Sequence, residues 1–389
     1  MEIRQIRGFL LDRGMLYLYS LFIAGYFLLP MASGHRRLYY LLVFPAILLL
    51  WRELLAFYRR NLLLGLLLAY TAWMMLTLAW TADFSLQGAG WQLWLSLNLL
   101  SFVAISGYLW VNQAERIDLF ARRLPWLAAA AALVSIAAWY AQNPFPSSRL
   151  EPLGVMHHQN KAGAAYGLFL VLSVQLAIKD RPRRAAYAGL AVVLAALVLL
   201  TQSRTALAGV CMGLLVLLGW RALLLALVGG ALSWALLATN PGEWSTRVET
   251  FSFRPGIWAQ VLADMKGHWL FGRGYLTDPH VNAYNQVFNH AHNSYLATLR
   301  DGGLVGLLLL LALLGTALVQ ALRLAYGRGE RLYLALLLYG MTCIFMDFDR
   351  LFVHPKEMWL YLWLPLALVA AAYPQRAGTA LPRLGGSLA

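Results

Sequence analysis

The stretch Asn289-His290-Ala291-His292-Asn293-Ser294-Tyr295 sets two imidazoles and two carboxamides just ahead of a long apolar run. Imidazole has an ordinary pKa near neutrality, so either ring could take a proton from an attacking hydroxyl. Three further clusters carry groups of comparable reach. "EPLGVMHHQNKAG" holds His157, His158, Gln159, Asn160 and Lys161, and "TQSRTAL" holds Arg204 between two apolar runs. "MDFDRLFVHPKE" holds Asp347, Asp349, Arg350 and His354. The polar segment before the histidine pair adds Arg247, Arg254, His268 and Arg273.

Two chemistries compete for these residues. A metal reading starts from the His-x-His pair and the Asp-x-Asp pair. Histidines two apart diverge by about 200° on a helix and converge only on extended chain. No Cys or Glu stands nearby to complete a zinc set, and Arg350 could pair with Asp347 or Asp349 instead. A phosphate reading needs no metal. Guanidinium forks grip phosphate oxygens bidentately and stay charged, so converging arginines suit a lipid-linked diphosphate as a leaving group. A bland reading stands beside each residue. Arg204 could cap a hairpin and snorkel to headgroups, Arg254 and Arg273 could bind lipid phosphates without specificity, and His157–His158 could close a turn.

The elements that must position these groups are membrane helices. The chain has 389 residues, 61% hydrophobic and 12% charged, with mean hydropathy +0.62. Soluble domains run near 25% charged. The net charge of +14 comes from 31 basic and 17 acidic residues. That excess is accounted for by loops obeying the positive-inside rule rather than by nucleic acid. The basic start "MEIRQIRGFLLDRG" leads into a run long enough to span, with no small-residue cleavage site. Cys211 and Cys343 lie inside apolar runs, so no disulfide framework is expected.

A bilayer core takes about 20 apolar residues per helix. Twelve spans are expected, at about 15–31, 38–57, 61–80, 91–111, 124–142, 162–178, 185–200, 205–219, 222–238, 303–322, 331–347 and 358–373. The expected class is an all-α polytopic membrane protein. Residues 1–238 hold helices one to nine, 239–302 a long outer loop with the reactive residues, and 303–389 helices ten to twelve and a cytoplasmic tail. A cytoplasmic N-terminus puts "WRELLAFYRRN", "NQAERIDLFARR", "KDRPRR" and "RLAYGRGER" inside, and every cluster named above outside. Within the loop, Ile257, Val261, Leu262 and Met265 recur at helical spacing, predicting an amphipathic surface helix closed by the glycine turn "GHWLFGRG".

These residues resemble those of a known family. "RPGIWAQVLADMKGHWLFGRGY" followed by "HAHNSYLATLRDGGLVGLLLLL" is similar to the signature of the O-antigen ligase and polymerase superfamily. "HHQNKAGAAYGL" and "LLTQSRTALAG" match two further family stretches in order. The family's turn often carries proline where this chain reads "HWLFGRG". The resemblance covers the chain from about residue 150 onward. It implies a GT-C-like glycosyltransferase with its site at the periplasmic face of a Gram-negative inner membrane. The donor would be an O-antigen polysaccharide on undecaprenyl diphosphate and the acceptor a sugar of lipid A–core, joined with inversion and without metal, nucleotide sugar or other cofactor.

By the same resemblance His292, in the His-Asn position, would activate the acceptor hydroxyl, with Arg204 and Arg254 on the diphosphate. Asn160, Lys161, Arg273, His290 and Asn293 would line the substrate pocket. The polymerase branch and the protein-directed oligosaccharyltransferases share these motifs. The short C-terminal end after span twelve favours the ligase. A transporter of anionic solutes would place charges near the bilayer midplane on broken, repeated helices, a pattern this sequence lacks.

Overall fold

The computed structural model describes residues 3–59, 61–239 and 253–373. Arg247 and the expected tail after residue 373 lie outside them. Runs rich in leucine, alanine and valine form helices because those side chains lose little freedom there and, in lipid, every backbone group must bond within its own segment. Polar residues mark the starts. The Asn61 side chain accepts the N–H groups of Leu63 and Leu64 at 3.0 and 3.4 Å, opening the helix Leu62–Leu76. Ser85 does the same for Leu86–Asn112 through the Gly88 N–H.

Each of the twelve expected stretches overlaps a described helix. Among the described residues, length and apolarity alone single out six as able to cross a membrane: Leu62–Trp80, Leu86–Asn112, Ala114–Tyr140, Gln159–Lys179, Arg181–Leu200 and Ser294–Arg328. A seventh arises if Ala32–Leu49 and Trp51–Arg59, bent by 74°, are one broken span. Arg204–Leu218, Arg221–Leu236, Arg331–Met346 and Trp359–Ala372 are apolar but shorter. The protein is therefore a helical, multi-pass membrane-type bundle.

Gln159–Lys179 is the most enclosed of the six, with 78% of its apolar window buried. It packs on Arg184–Leu200, Arg204–Leu218 and Arg331–Met346. The approach is close at Gly163, where a methyl group would meet Thr201 Oγ1 and Ser203 Cβ at 2.9 and 3.0 Å. That contact sets the first turn of this helix, with Asn160 and Lys161, against the turn that ends in Arg204.

A helical stretch begins at Ser294, ahead of the expected tenth span at 303, because Asn293 caps it: its side-chain oxygen accepts the Tyr295 and Leu296 N–H groups at 2.9 and 3.1 Å. The helix then kinks at Gly303, with φ 65° and ψ −166°. A break in a membrane helix is tolerated only where its freed groups find partners. Here the "WLFGRG" turn supplies them. Arg273 and Gly274 N–H donate to the carbonyls of Arg300 and Asp301 at 2.8 and 3.0 Å, and Leu304 and Val305 N–H donate to Trp269 and Leu270 at 2.8 and 3.3 Å.

A Cβ at Gly303 would press on the Leu270 carbonyl oxygen, and the backbone region itself is nearly glycine-only. Gly303→Ala should cost roughly 1–3 kcal/mol from the backbone strain alone, with the steric clash in addition. A thermal melt in detergent showing no loss would mean the turn and helix do not dock this way.

The amphipathic helix is present as Arg254–Ala263, ten residues long. Ile257 and Val261 are buried as expected, whereas Leu262 is 39% exposed. The residues behind it form an antiparallel hairpin, Val281–Ala283 with Gln286–Phe288, turned by Tyr284 and Asn285 at φ 53° and 58°. Positive φ at both positions is the two-residue turn whose twist matches the strands.

Candidate functional site

The histidine pair is built from its central alanine. Ala291 is fully buried in a small apolar cluster with Ile257, Val261 and Val281, packed by Phe253, Trp258 and Phe288. The Trp258 indole N–H donates to the Ala291 carbonyl at 3.1 Å. This cluster fastens the helix Arg254–Ala263 and the hairpin beneath the histidines. His292 then takes a left-handed backbone, φ 49°. The two rings, expected to meet only on extended chain, come within 4.0 Å centroid to centroid through this turn. The His292 N–H donates to His290 Nδ1 at 3.1 Å.

Asp347 faces them from the end of the helix Arg331–Met346. Its Oδ1 lies 2.8 Å from His292 Nδ1, and it also accepts the Phe348 N–H at 2.8 Å. Burial raises the Asp347 carboxyl, but the His292 bond and charge, the Phe348 N–H and the charge of Arg254 outweigh it and bring it down to about 2. An ionised carboxylate only accepts, so Nδ1 of His292 carries a proton, and in the neutral ring Nε2 then presents its lone pair. The His292 side chain is 32% exposed and Asp347 8%.

Behind the carboxylate stand two more side chains. Asn160 Nδ2 donates to Asp347 Oδ2 at 3.1 Å, and Arg149 Nη2 donates to Asn160 Oδ1 at 3.1 Å. Arg149 also donates through Nε and Nη2 to the Thr201 carbonyl, both at 3.1 Å. Arg149, Asn160, Asp347 and His292 thus form one line. Its members come from a loop, a helix start, a helix end and the histidine turn. Burial pushes the His290 imidazole down to about 4, helped by the neighbouring His292 charge.

That depression has a sign. A group whose folded pKa lies below its ordinary 6.5 is charged more readily when unfolded. Stability from keeping His290 neutral is therefore complete above about pH 6.5 and declines as pH falls toward 4. The melting temperature should drop through this window, and His290→Gln should flatten the slope relative to wild type. An unchanged slope would mean His290 is solvated.

The remaining predicted residues separate. Arg254 opens its helix within electrostatic reach of Asp347. Arg204 opens the helix Arg204–Leu218, exposed, just beyond the Thr201 that Arg149 holds. Lys161 is half-buried one residue after Asn160. With Lys356 and Arg36 it adds to the burial that pushes His354 to about 4. Asn293 is 2% exposed and spends its side-chain oxygen on the helix cap. Arg273 lies on the turn docked against the Gly303 kink, and its side chain makes no hydrogen bond to the His292–Asp347 pair.

The acidic pair "DFD" is split rather than joined. Asp349 accepts from Arg300 Nη2 at 3.4 Å while Asp347 faces His292. Arg350 pairs with neither. Its Nε donates to Asp301 Oδ2 at 2.7 Å and its Nη2 to the Thr277 carbonyl at 2.5 Å. Arg300 binds the same Asp301 through Nε at 2.7 Å.

Sequence reasoning passed over Arg149, Arg300 and Asp301. The signal for the last two was present: an Arg-Asp dipeptide heading a long apolar run needs a local partner. Arg149 gave none, since only the fold brings it to Asn160.

A multi-pass helical bundle with an imidazole–carboxylate pair and flanking guanidiniums at one end is the class that these observations define. Residues 189–311 match the sequence model of the O-antigen ligase family. That window contains Arg204, Arg254, Arg273, His290, His292 and Asn293, while Arg149, Asn160 and Asp347 fall outside it. Similarity also extends over most of the chain. An O-antigen ligase of Pseudomonas aeruginosa is 29% identical over 374 residues, covering 91% of this chain and 89% of the relative. Over residues 189–311 the chain is thus similar to the O-antigen ligase family, and over most of its length to that relative.

Proposed function

We propose that the protein joins an O-antigen polysaccharide, carried on undecaprenyl diphosphate, to a sugar hydroxyl of lipid A–core at the periplasmic face of the inner membrane. The observation that carries this reading is the His292–Asp347 bond at 2.8 Å, which leaves Nε2 of a part-exposed ring as a proton acceptor. Asp347 fixes the tautomer and stabilises the imidazolium, the task an aspartate performs behind a catalytic histidine.

In the step itself, the acceptor hydroxyl oxygen attacks the anomeric carbon of the donor from the face opposite the diphosphate. The hydroxyl proton passes to His292 Nε2. The anomeric carbon–oxygen bond breaks, and its electron pair leaves with undecaprenyl diphosphate, so configuration inverts. Arg204 and Arg254 bear the charge that grows on the leaving diphosphate, a role guanidinium fills without a metal. Lys161, Asn160 and His290 flank the same space, and Arg273 and Asn293 support it from the turn and the helix cap. A GT-C-like bundle with a long outer segment supplies the frame.

The test is transfer in proteoliposomes holding the purified chain, lipid-linked O-polysaccharide and lipid A–core, in EDTA. A product ladder on the core lipid is expected. The Arg204→Ala and Arg254→Ala variants should each transfer about a hundredfold more slowly, the usual loss when one charge-stabilising donor is removed. Product appearing only after magnesium is restored would overturn the arginine mechanism. Chains lengthened on the carrier lipid, with none on the core, would make the protein a polymerase.

A further inference from the structure

His290, His292 and Asp347 bring two imidazoles and one carboxylate to a point: one ligating atom from each lies within 4.8 Å of the others. A tetrahedral ion with ligand bonds of about 2.0–2.2 Å needs donors roughly 3.3 Å apart, so small side-chain rotations close the set. His292 Nδ1 and Asp347 Oδ1, hydrogen-bonded at 2.8 Å, need to open by only about half an ångström, with the Nδ1 proton released to water as the ion takes its place, and the two rings already stand at 4.0 Å. Backbone anchoring of the fully buried Ala291 fixes the two histidines on one side of the chain.

We infer that these three residues form a binding site for a borderline-soft divalent ion of the zinc and cobalt type. The donor set selects the ion. Two nitrogens and one oxygen suit zinc or cobalt, whereas magnesium and calcium want oxygen throughout. Asp349, the residue that would turn the set toward an oxygen-binding ion, is turned to Arg300. Three protein ligands leave one position for water. The ion occupies the ring that the proposed mechanism uses as its base, so occupancy blocks transfer rather than supporting it. That consequence rests on the function proposed above; the binding itself does not.

The full, untagged chain in detergent is titrated with Co²⁺ while its visible ligand-field absorption is followed. One equivalent should give a tetrahedral spectrum that Zn²⁺ displaces and excess Mg²⁺ leaves intact. His290→Gln and Asp347→Asn keep side-chain size and should each weaken binding at least about tenfold, while His268→Gln should bind as wild type. Melting curves for each variant certify folding. No tetrahedral spectrum in the wild type, or equal affinity in the His290 and Asp347 variants, overturns the site. Because no sugar donor is present, failure here leaves the transfer mechanism untouched, and loss of transfer elsewhere leaves this binding measurable. In proteoliposomes Zn²⁺ should stop transfer and EDTA restore it. Full-rate transfer by zinc-loaded protein would overturn the blocking role.

Discussion

His292→Ala should reduce ligation to the core lipid by about a hundred- to ten-thousand-fold, the range that a positioned general base contributes. Folding should survive, because the apolar anchor of the turn is Ala291 and not the ring. Asp347→Asn tests the same unit from the other side. Its amide can donate to His292 Nδ1, which turns the ring to the tautomer with a proton on Nε2 and removes the acceptor. The loss should approach that of His292→Ala, and the double variant should be little worse than either alone, since the two act together. The readout is initial rate of core-linked product in proteoliposomes with equal amounts of inserted protein. A His292→Ala protein that ligates at even a tenth of the wild-type rate would remove the base from this position.

Asp301→Ala carries the second large effect, on stability rather than rate. Asp301 has no exposed side-chain surface and answers two guanidiniums, Arg300, itself 3% exposed, and Arg350. Removing one member of a buried ionic group strands the other charges, at a cost of about 3–5 kcal/mol. The cluster also ties the long helix to the Thr277–Pro279 loop and to the segment after Asp347. The variant should therefore melt well below wild type and accumulate poorly in membranes. Replacing Arg350 with methionine should be milder, because Arg300 still neutralises Asp301. Equal melting temperatures for Asp301→Ala and wild type would mean the cluster is solvated.

Both predictions draw on what the sequence made legible and what it hid. The stretch around His292 announced itself through composition: polar groups crowded at the mouth of an apolar run cost too much to be idle. In sequence Arg204 stands out at a break between two apolar runs and Arg254 only as one arginine of the long polar loop, their place on the diphosphate coming from the family resemblance; in the structure each heads a helix. The helices, too, followed from apolar runs and basic loops. Less visible was the start at Ser294, since a cap depends on which carboxamide faces the first turn, and Asn289 and Asn293 look alike in sequence. In sequence Asp347 reads as half of an acidic pair because it stands two residues from Asp349. The chain reverses between them at Phe348, φ 78°, and sends the carboxylates to different partners. Arg149 shows the limit: its bond to Asn160 is a tertiary contact with no local pattern behind it.

The line from Arg149 through Asn160 and Asp347 to His292 has a direction. Guanidinium and amide both donate toward the carboxylate, and neither gives up a proton at any physiological pH. Asp347 itself titrates only near pH 2. Protons reaching His292 therefore enter a cul-de-sac. Whatever the ring takes up cannot drain inward through the protein and must depart by Nε2, the door it came in by. In the reaction proposed above, each turnover would then end with a proton handed to the departing diphosphate or to water, and the buried side of the protein would stay electrically unchanged from one cycle to the next.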